Sequence, residues 1–187
     1  MGTTFPLQNT SGLGSTVTAQ NTDSLRSIAV KDRGHYFSGD KYWEFSGFNM
    51  HHTFTIVAWI RPTLSSSNLV LFSKQKSSIV NGGVPAKNPL EDLMTLLILY
   101  DNTVESLIFD LATLKVNNIS TDNPTSLKWQ MIATRAVYSS DITTLDVWIN
   151  ATKQTSENSN GVWFGEYDSS VTLLGAEWNH DGTSWVV

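Results

Sequence analysis

The stretch Phe54-Thr55-Ile56-Val57-Ala58-Trp59-Ile60-Arg61-Pro62 is a dense β-strand signal closed by a proline. Phe54, Ile56, Ala58 and Ile60 fall on one parity, and Thr55, Val57, Trp59 and Arg61 on the other. A pleated strand sends these two sets to opposite faces, and its branched and aromatic side chains suit that surface. Val57 and Trp59 make the second face half apolar. That composition predicts a strand covered on both sides, in the interior of a sheet rather than at its edge. On this reading Val57 and Trp59 mark a place that a loop or a partner covers.

The rest of the chain fits one domain built around such strands. Its 187 residues lie in the single-domain range, and 40% are apolar, with seven Trp and eight Phe to fill a core. Twelve Lys and Arg stand against 17 Asp and Glu, a formal charge of −5. With no basic run, the chain is not expected to bind nucleic acid or an anionic membrane surface. No apolar run approaches the ~20 residues of a spanning helix, so membrane insertion is not expected either. No signal-peptide pattern opens the chain. There is no cysteine, which excludes disulfides, thiolate metal sites and a cysteine nucleophile. Asn9-Thr10-Ser11, Asn118-Ile119-Ser120 and Asn150-Ala151-Thr152 match the N-glycosylation acceptor pattern.

Residues 1–28 are polar and read as a loop-rich segment, with Phe5-Pro6-Leu7 as a short initial strand. His35-Tyr36-Phe37 and Tyr42-Trp43-Glu44-Phe45 flank the turn cluster Ser38-Gly39-Asp40-Lys41 and predict a hairpin. Leu69–Lys74 reads as a second buried strand, and Ser77–Asp92, with two glycines and two prolines, as a long surface loop. Leu93–Tyr100 and Val104–Asp110 flank Asp101-Asn102-Thr103 as a hairpin; length and the flanking turns favour strand over helix for the first of them. Trp129–Val137 and Leu145–Asn150 form another pair, with Leu145, Val147 and Ile149 on one face. Short strands follow at Val162–Glu166 and Ser170–Leu174, then a loop at Glu177–Ser184 and a terminal Trp185-Val186-Val187. The pattern predicts an all-β, antiparallel β-sandwich.

In this order the segments resemble the laminin-G-like branch of the concanavalin A-like lectin/glucanase superfamily, and the resemblance implies a jelly-roll β-sandwich. The resemblance rests on Phe5-Pro6-Leu7, Gly34–Phe45, Phe54–Pro62, Leu71–Lys74, Trp129–Thr134, Leu145–Asn150 and Leu174-Gly175-Ala176. It implies one sandwich domain over residues 1–187, at a cell surface or outside the cell. It also implies a non-catalytic recognition module that binds a glycan or an extracellular protein through rim loops. Two departures stand out. Ala151 follows Asn150 where the family usually has Gly, which makes a turn with two positive φ angles less comfortable. The family's last strand would begin near Val187, so an alternative is an assembly component whose open edge a strand-donating chain completes. At the middle of Phe54–Pro62, where the family often carries a charge, this chain has Val57.

The chemistry-bearing residues are few. Glucanases of the superfamily carry Glu-x-Asp-x-x-Glu. Glu166-Tyr167-Asp168-Ser169-Ser170-Val171 supplies only the first two carboxylates, so the paired acid and nucleophile of a retaining hydrolase are incomplete. Glu177 and Asp181 are the candidate ligands for Ca²⁺, a cation that takes carboxylates and carbonyls from loops. His51-His52 are read as loop histidines rather than a metal pair. Trp178, with Asn179, His180, Asp181 and Tyr167, is the candidate ligand-binding group, since exposed aromatics among polar neighbours make binding anchors. Trp59, Trp129 and Trp148 are read as structural.

Overall fold

The computed structural model describes residues 16–20, 26–27, 34–35, 42–46, 50–64, 67–76, 78–80, 84–86, 92–110, 114–161, 170–175, 177–178 and 185–186. Its strands in chain order are β1 (Thr16–Gln20), β2 (Arg26–Ser27), β3 (Gly34–His35), β4 (Tyr42–Ser46), β5 (Phe54–Ile60) and β6 (Leu69–Lys76). There follow β7 (Ser78–Val80), β8 (Val84–Ala86), β9 (Asp92–Ile98), β10 (Val104–Asp110), β11 (Leu114–Ile119) and β12 (Gln130–Ser139). The last are β13 (Ile142–Ile149), β14 (Thr152–Asn160), β15 (Ser170–Leu174), β16 (Glu177–Trp178) and β17 (Trp185–Val186).

Two antiparallel sheets carry the fold. One has seven strands in the order β1-β4-β15-β6-β9-β10-β11, the other four in the order β14-β13-β12-β5. Alternation explains their packing: Leu96, Ile98, Val104 and Ile108 of the large sheet meet Ile132, Leu145, Val147 and Ile149 of the small one in a single buried cluster. Phe54, Ile56 and Ile60 of β5 pack against it from the edge. The expected all-β antiparallel sandwich is therefore present. The expected strand Leu93–Tyr100 is present as β9, which ends at Ile98 and pairs with β10, while Tyr100 falls in the turn; Asp101 Oδ1 accepts from Thr103 N (3.0 Å) and Oγ1 (2.7 Å) to shape that turn.

Polar groups inside the sandwich are matched to one another. Ser106 Oγ of the large sheet and Thr134 Oγ1 of the small sheet share a hydrogen bond of 2.8 Å across the core. Thr134 Oγ1 also donates to the Asp146 carbonyl at 3.1 Å. Asn118, fully buried on β11, donates from Nδ2 to the Leu145 carbonyl at 2.6 Å and accepts from Thr155 Oγ1. One of the three glycosylation triplets is thus folded into the interior, where its side chain is spent on tying β11 to the small sheet. Asn150, in another, sits at an exposed hairpin corner.

Several expectations are corrected. The segment 1–28 contains β1, which pairs with β4 through Thr16↔Ser46 to Gln20↔Tyr42. β4 pairs with β1 and β15, and His35 lies in β3 against β2, while Tyr36 and Phe37 lie outside the described residues. The Ser77–Asp92 loop carries a small ribbon, β7 against β8. The Glu177–Ser184 loop begins in β16, which pairs with β17. β11 and the wholly polar β14 (TKQTSENSN) are strands that no hydrophobic alternation announced.

The β12–β13 hairpin is tighter than its sequence suggested. Its two central residues, Ser140 and Asp141, have φ of 53° and 62°, the signature of a type I′ turn that matches strand twist. In the β13–β14 hairpin Asn150 alone takes a positive φ, 56°, so Ala151 does not enter the conformation that would disfavour it. Phe5-Pro6-Leu7 and Val162–Glu166 lie outside the described residues.

Candidate functional site

The largest correction concerns β5. It is the end strand of the small sheet, and among the described residues it pairs only with β12. Val57 and Trp59 are 55% and 58% exposed. Among the described residues none covers them. The half-apolar second face of Phe54–Pro62 marks an open surface, and Trp59 is not a core tryptophan.

The register assembles that surface. Trp59 lies opposite Met131, Val57 opposite Ala133, and Thr55 opposite Arg135. On the next strand Ala133 faces Trp148 and Arg135 faces Asp146; on β14, Lys153 lies opposite Trp148 and Ser156 opposite Asp146. All of these share the outer face, because their neighbours Ile132, Thr134, Leu145 and Val147 point inward. Ala133 leaves a shallow gap between Val57 and Trp148 on one rung. A bulge between Asp146 and Trp148 shifts β14, which brings Lys153 and Ser156 onto the same carboxylate.

That carboxylate is the polar hub of the face. Asp146 Oδ2 accepts from Arg135 Nη2 (2.7 Å) and Nε (3.2 Å), and its Oδ1 is 2.8 Å from Lys153 Nζ and accepts from Ser156 Oγ. Its side chain is 2% exposed, while Arg135 and Lys153 remain 46% and 47% exposed. Burial pushes the Asp146 carboxyl upward, but hydrogen bonds from Lys153, Ser156 and Arg135, with the Lys153 charge, outweigh it and hold the group below the usual carboxylate range. Both cations also lie against the Trp148 ring, with Arg135 Cζ 5.2 Å and Lys153 Nζ 5.7 Å from its centroid. Trp148 is thus largely occupied by its own neighbours, and Trp59 is the open aromatic.

Beyond β5 the chain is clipped to the segment before β12. Arg61 Nε donates to the Leu127 carbonyl at 2.9 Å, and Leu127 N donates to the Pro62 carbonyl at 2.8 Å. Leu64 N donates to Ser126 Oγ at 3.3 Å. Leu127 achieves this with a φ of 58°, a left-handed conformation costly for a branched residue.

The residues singled out from sequence are distributed differently. Tyr167, Asn179, His180 and Asp181 lie outside the described residues, as do Glu166 and Asp168. Glu177 and Trp178 form β16, with Trp178 opposite Trp185. Among the described residues no group of three His, Asp or Glu is placed to hold a metal ion. His51 and His52 are exposed, and the His52 ring packs edge-on against Tyr138 at 5.2 Å. Trp59 carried a usable signal in its parity with Arg61. The meeting of Arg135, Asp146 and Lys153 carried none, because it depends on cross-strand register.

No protein-family profile matches the chain, and no curated protein matches it by sequence. Solved structures do. The enzymatically active domain of tailspike protein 2 from bacteriophage CBA120 is similar over 88% of this chain and 26% of its own, at 14% identity and a TM-score of 0.51. A heptameric SAP-like pentraxin from Limulus polyphemus is similar over 74% of this chain and 60% of its own, at 11% identity and a TM-score of 0.42. The carbohydrate binding module CBM66 from Bacillus subtilis is similar over 87% of this chain and 88% of its own, at 9% identity and a TM-score of 0.42. The chain thus spans less than two thirds of the length of each of the first two. At these identities the likeness is one of fold alone, an antiparallel jelly-roll β-sandwich.

Proposed function

We propose that this chain is a non-catalytic, laminin-G-like recognition module that binds glycan on the outer face of its four-stranded sheet. The observation that carries this reading is Trp59, 58% exposed on a paired strand whose face also presents Thr55, Arg61, Arg135 and Lys153. A sugar ring offers an apolar face and a rim of hydroxyls. An exposed indole beside fixed hydrogen-bond donors is complementary to both. Covering the open part of Trp59 removes on the order of 100 Å² of apolar surface from water, worth about 2–3 kcal/mol. The strand holds the ring in place, so little ordering cost is subtracted. Val171, on β15, stands where the glucanase pattern needs its third carboxylate, the acid/base partner of the nucleophile, which supports the non-catalytic part.

The test is a glycan array followed by titration of the strongest binder. Trp59→Ala is expected to abolish binding while leaving the thermal midpoint within about 2 °C, since surface changes are worth within ~0.5 kcal/mol. Trp178→Ala is the companion variant: loss there, with Trp59→Ala unaffected, would move the site to the rim loops. A second reading, an assembly component, is favoured by the exposure of Val57 with Trp59 on β5 and of Leu127 where it is tied to Arg61 and Pro62. A mass measurement in solution at micromolar chain separates the two, since the recognition module is expected to remain a monomer.

A further inference from the structure

We infer that Trp59 and Arg61 together form a subsite for a hexuronate, so that the glycan recognised is acidic; this rests on the sheet-face reading above. Trp59 and Arg61 share a parity on consecutive outward positions, with Cα atoms about 7 Å apart on an extended strand. A pyranose ring laid on the indole places its C5 substituent at the ring's edge, within reach of the guanidinium one position further along. In a hexuronate that substituent is a carboxylate.

The state of Arg61 fits this ligand. A guanidinium has five N–H donors, and the bond from Nε to the Leu127 carbonyl uses one of them, on the inner side of the fork. The two terminal nitrogens then present their end-on edge, the geometry that takes both oxygens of a carboxylate at once. The carbonyl that holds Arg61 in this attitude belongs to a residue kept at φ 58° and tied to Pro62. Strain retained at a clip beside an open aromatic is a mark of a positioned side chain.

Charge points the same way. On this face of β5, β12, β13 and β14, with Arg61 just beyond, three cations (Arg61, Arg135 and Lys153) stand against the one carboxylate of Asp146, both of whose oxygens are already engaged. The face is positive on a chain whose formal charge is −5. Glu157 does not offset it, since its register opposite the inward Leu145 sets it on the other parity. A local field of this sign raises the concentration of anionic sugars at the face.

The experiment titrates the full chain, by intrinsic tryptophan fluorescence and calorimetry, with galacturonate, glucuronate and mannuronate tetrasaccharides. Each is paired with its carboxyl-reduced neutral counterpart. At least one acid form is expected to bind tenfold or more tighter than its neutral partner, with an advantage that shrinks in 0.5 M salt. Arg61→Gln is expected to bring the acid form down to the neutral affinity. Trp59→Ala is expected to remove both. Lys115→Gln, on β11 of the other sheet, is expected to change nothing; an equal loss there would mean diffuse charge attraction and overturn the subsite. Equal binding of acid and neutral forms, lost in Trp59→Ala, would overturn the uronate assignment and leave the glycan platform standing. No binding of any form, acidic or neutral, would overturn both.

Discussion

Replacing Asp146 with Asn tests whether the carboxylate hub organises the outer face. The substitution keeps the shape and removes the charge from a side chain that is 2% exposed. Hydrogen bonds to charged groups are worth about 1.5–3 kcal/mol, and breaking a fully buried ion pair costs about 3–5 kcal/mol. Arg135 and Lys153 are each nearly half exposed, so both can rehydrate when released, which places the loss at the lower end, about 2–3 kcal/mol at pH 7. For a chain of this size that is a fall in thermal midpoint of roughly 5–10 °C. The pH dependence follows from the direction of the shift. The folded Asp146 carboxyl lies below its ordinary value, so its contribution is complete above the unfolded value of about 3.9 and is lost as pH falls through the folded one. Asn cannot titrate. The stability gap between parent and variant, measured by urea unfolding followed by tryptophan fluorescence, is therefore expected to be widest at neutral pH and to close as the solution is acidified below about pH 4. An Asn variant as stable as the parent at pH 7, or a gap that stays constant down to pH 2, would refute this account.

Three further outcomes are expected. Ser140→Asn should stabilise the β12–β13 hairpin by about 0.5 kcal/mol, seen as a small rise in thermal midpoint, because Asn accepts the left-handed conformation that Ser140 holds at φ 53°. Ser106→Ala should cost about 1–2 kcal/mol by leaving one partner of the cross-core bond to Thr134 unmatched, and in the pair Ser106→Ala with Thr134→Val the losses should sum to less than the separate values. Burial lowers the Lys74 ammonium from 10.5 to about 8. The unfolded chain then binds more protons between those values, so the parent should gain stability relative to Lys74→Met as pH rises from 8 to 10, and parallel pH curves for the two proteins would contradict this.

Much of the framework was legible because the relevant residues alternate. Leu145, Val147 and Ile149 announced both a strand and its buried face, and the Asp101-Asn102-Thr103 turn announced the pairing of β9 with β10. Phe54–Pro62 was legible as a strand but not in its position. An apolar second parity means cover in an interior strand and an open surface in an end strand, and composition does not distinguish them. β14 was not legible at all, since TKQTSENSN has no apolar period; the open side of β13 makes it a strand. The hub was equally hidden. Asp146 lies 11 residues from Arg135 and seven from Lys153 along the chain, and only the hairpin registers, with a bulge in one of them, bring the three together. The Glu177, Trp178 and Asp181 group could be read for its chemistry, but its geometry depends on residues outside those described.

The interior position of Asn118 has a consequence for how this protein is made. In a secretory eukaryotic host, the acceptor triplet Asn118-Ile119-Ser120 is presented to the glycosylation machinery while the chain is still extended. A bulky saccharide attached there would occupy the space in which Nδ2 meets the Leu145 carbonyl, and β11 could not close against β13 and β14. Material produced by that route would divide into an unmodified, foldable population and a modified one that retains its core exposed. A bacterial host, or a Ser120→Ala change that abolishes the triplet at the cost of the hydrogen bonds its Oγ accepts from Val104 N and donates to the Asp122 carbonyl, avoids the division.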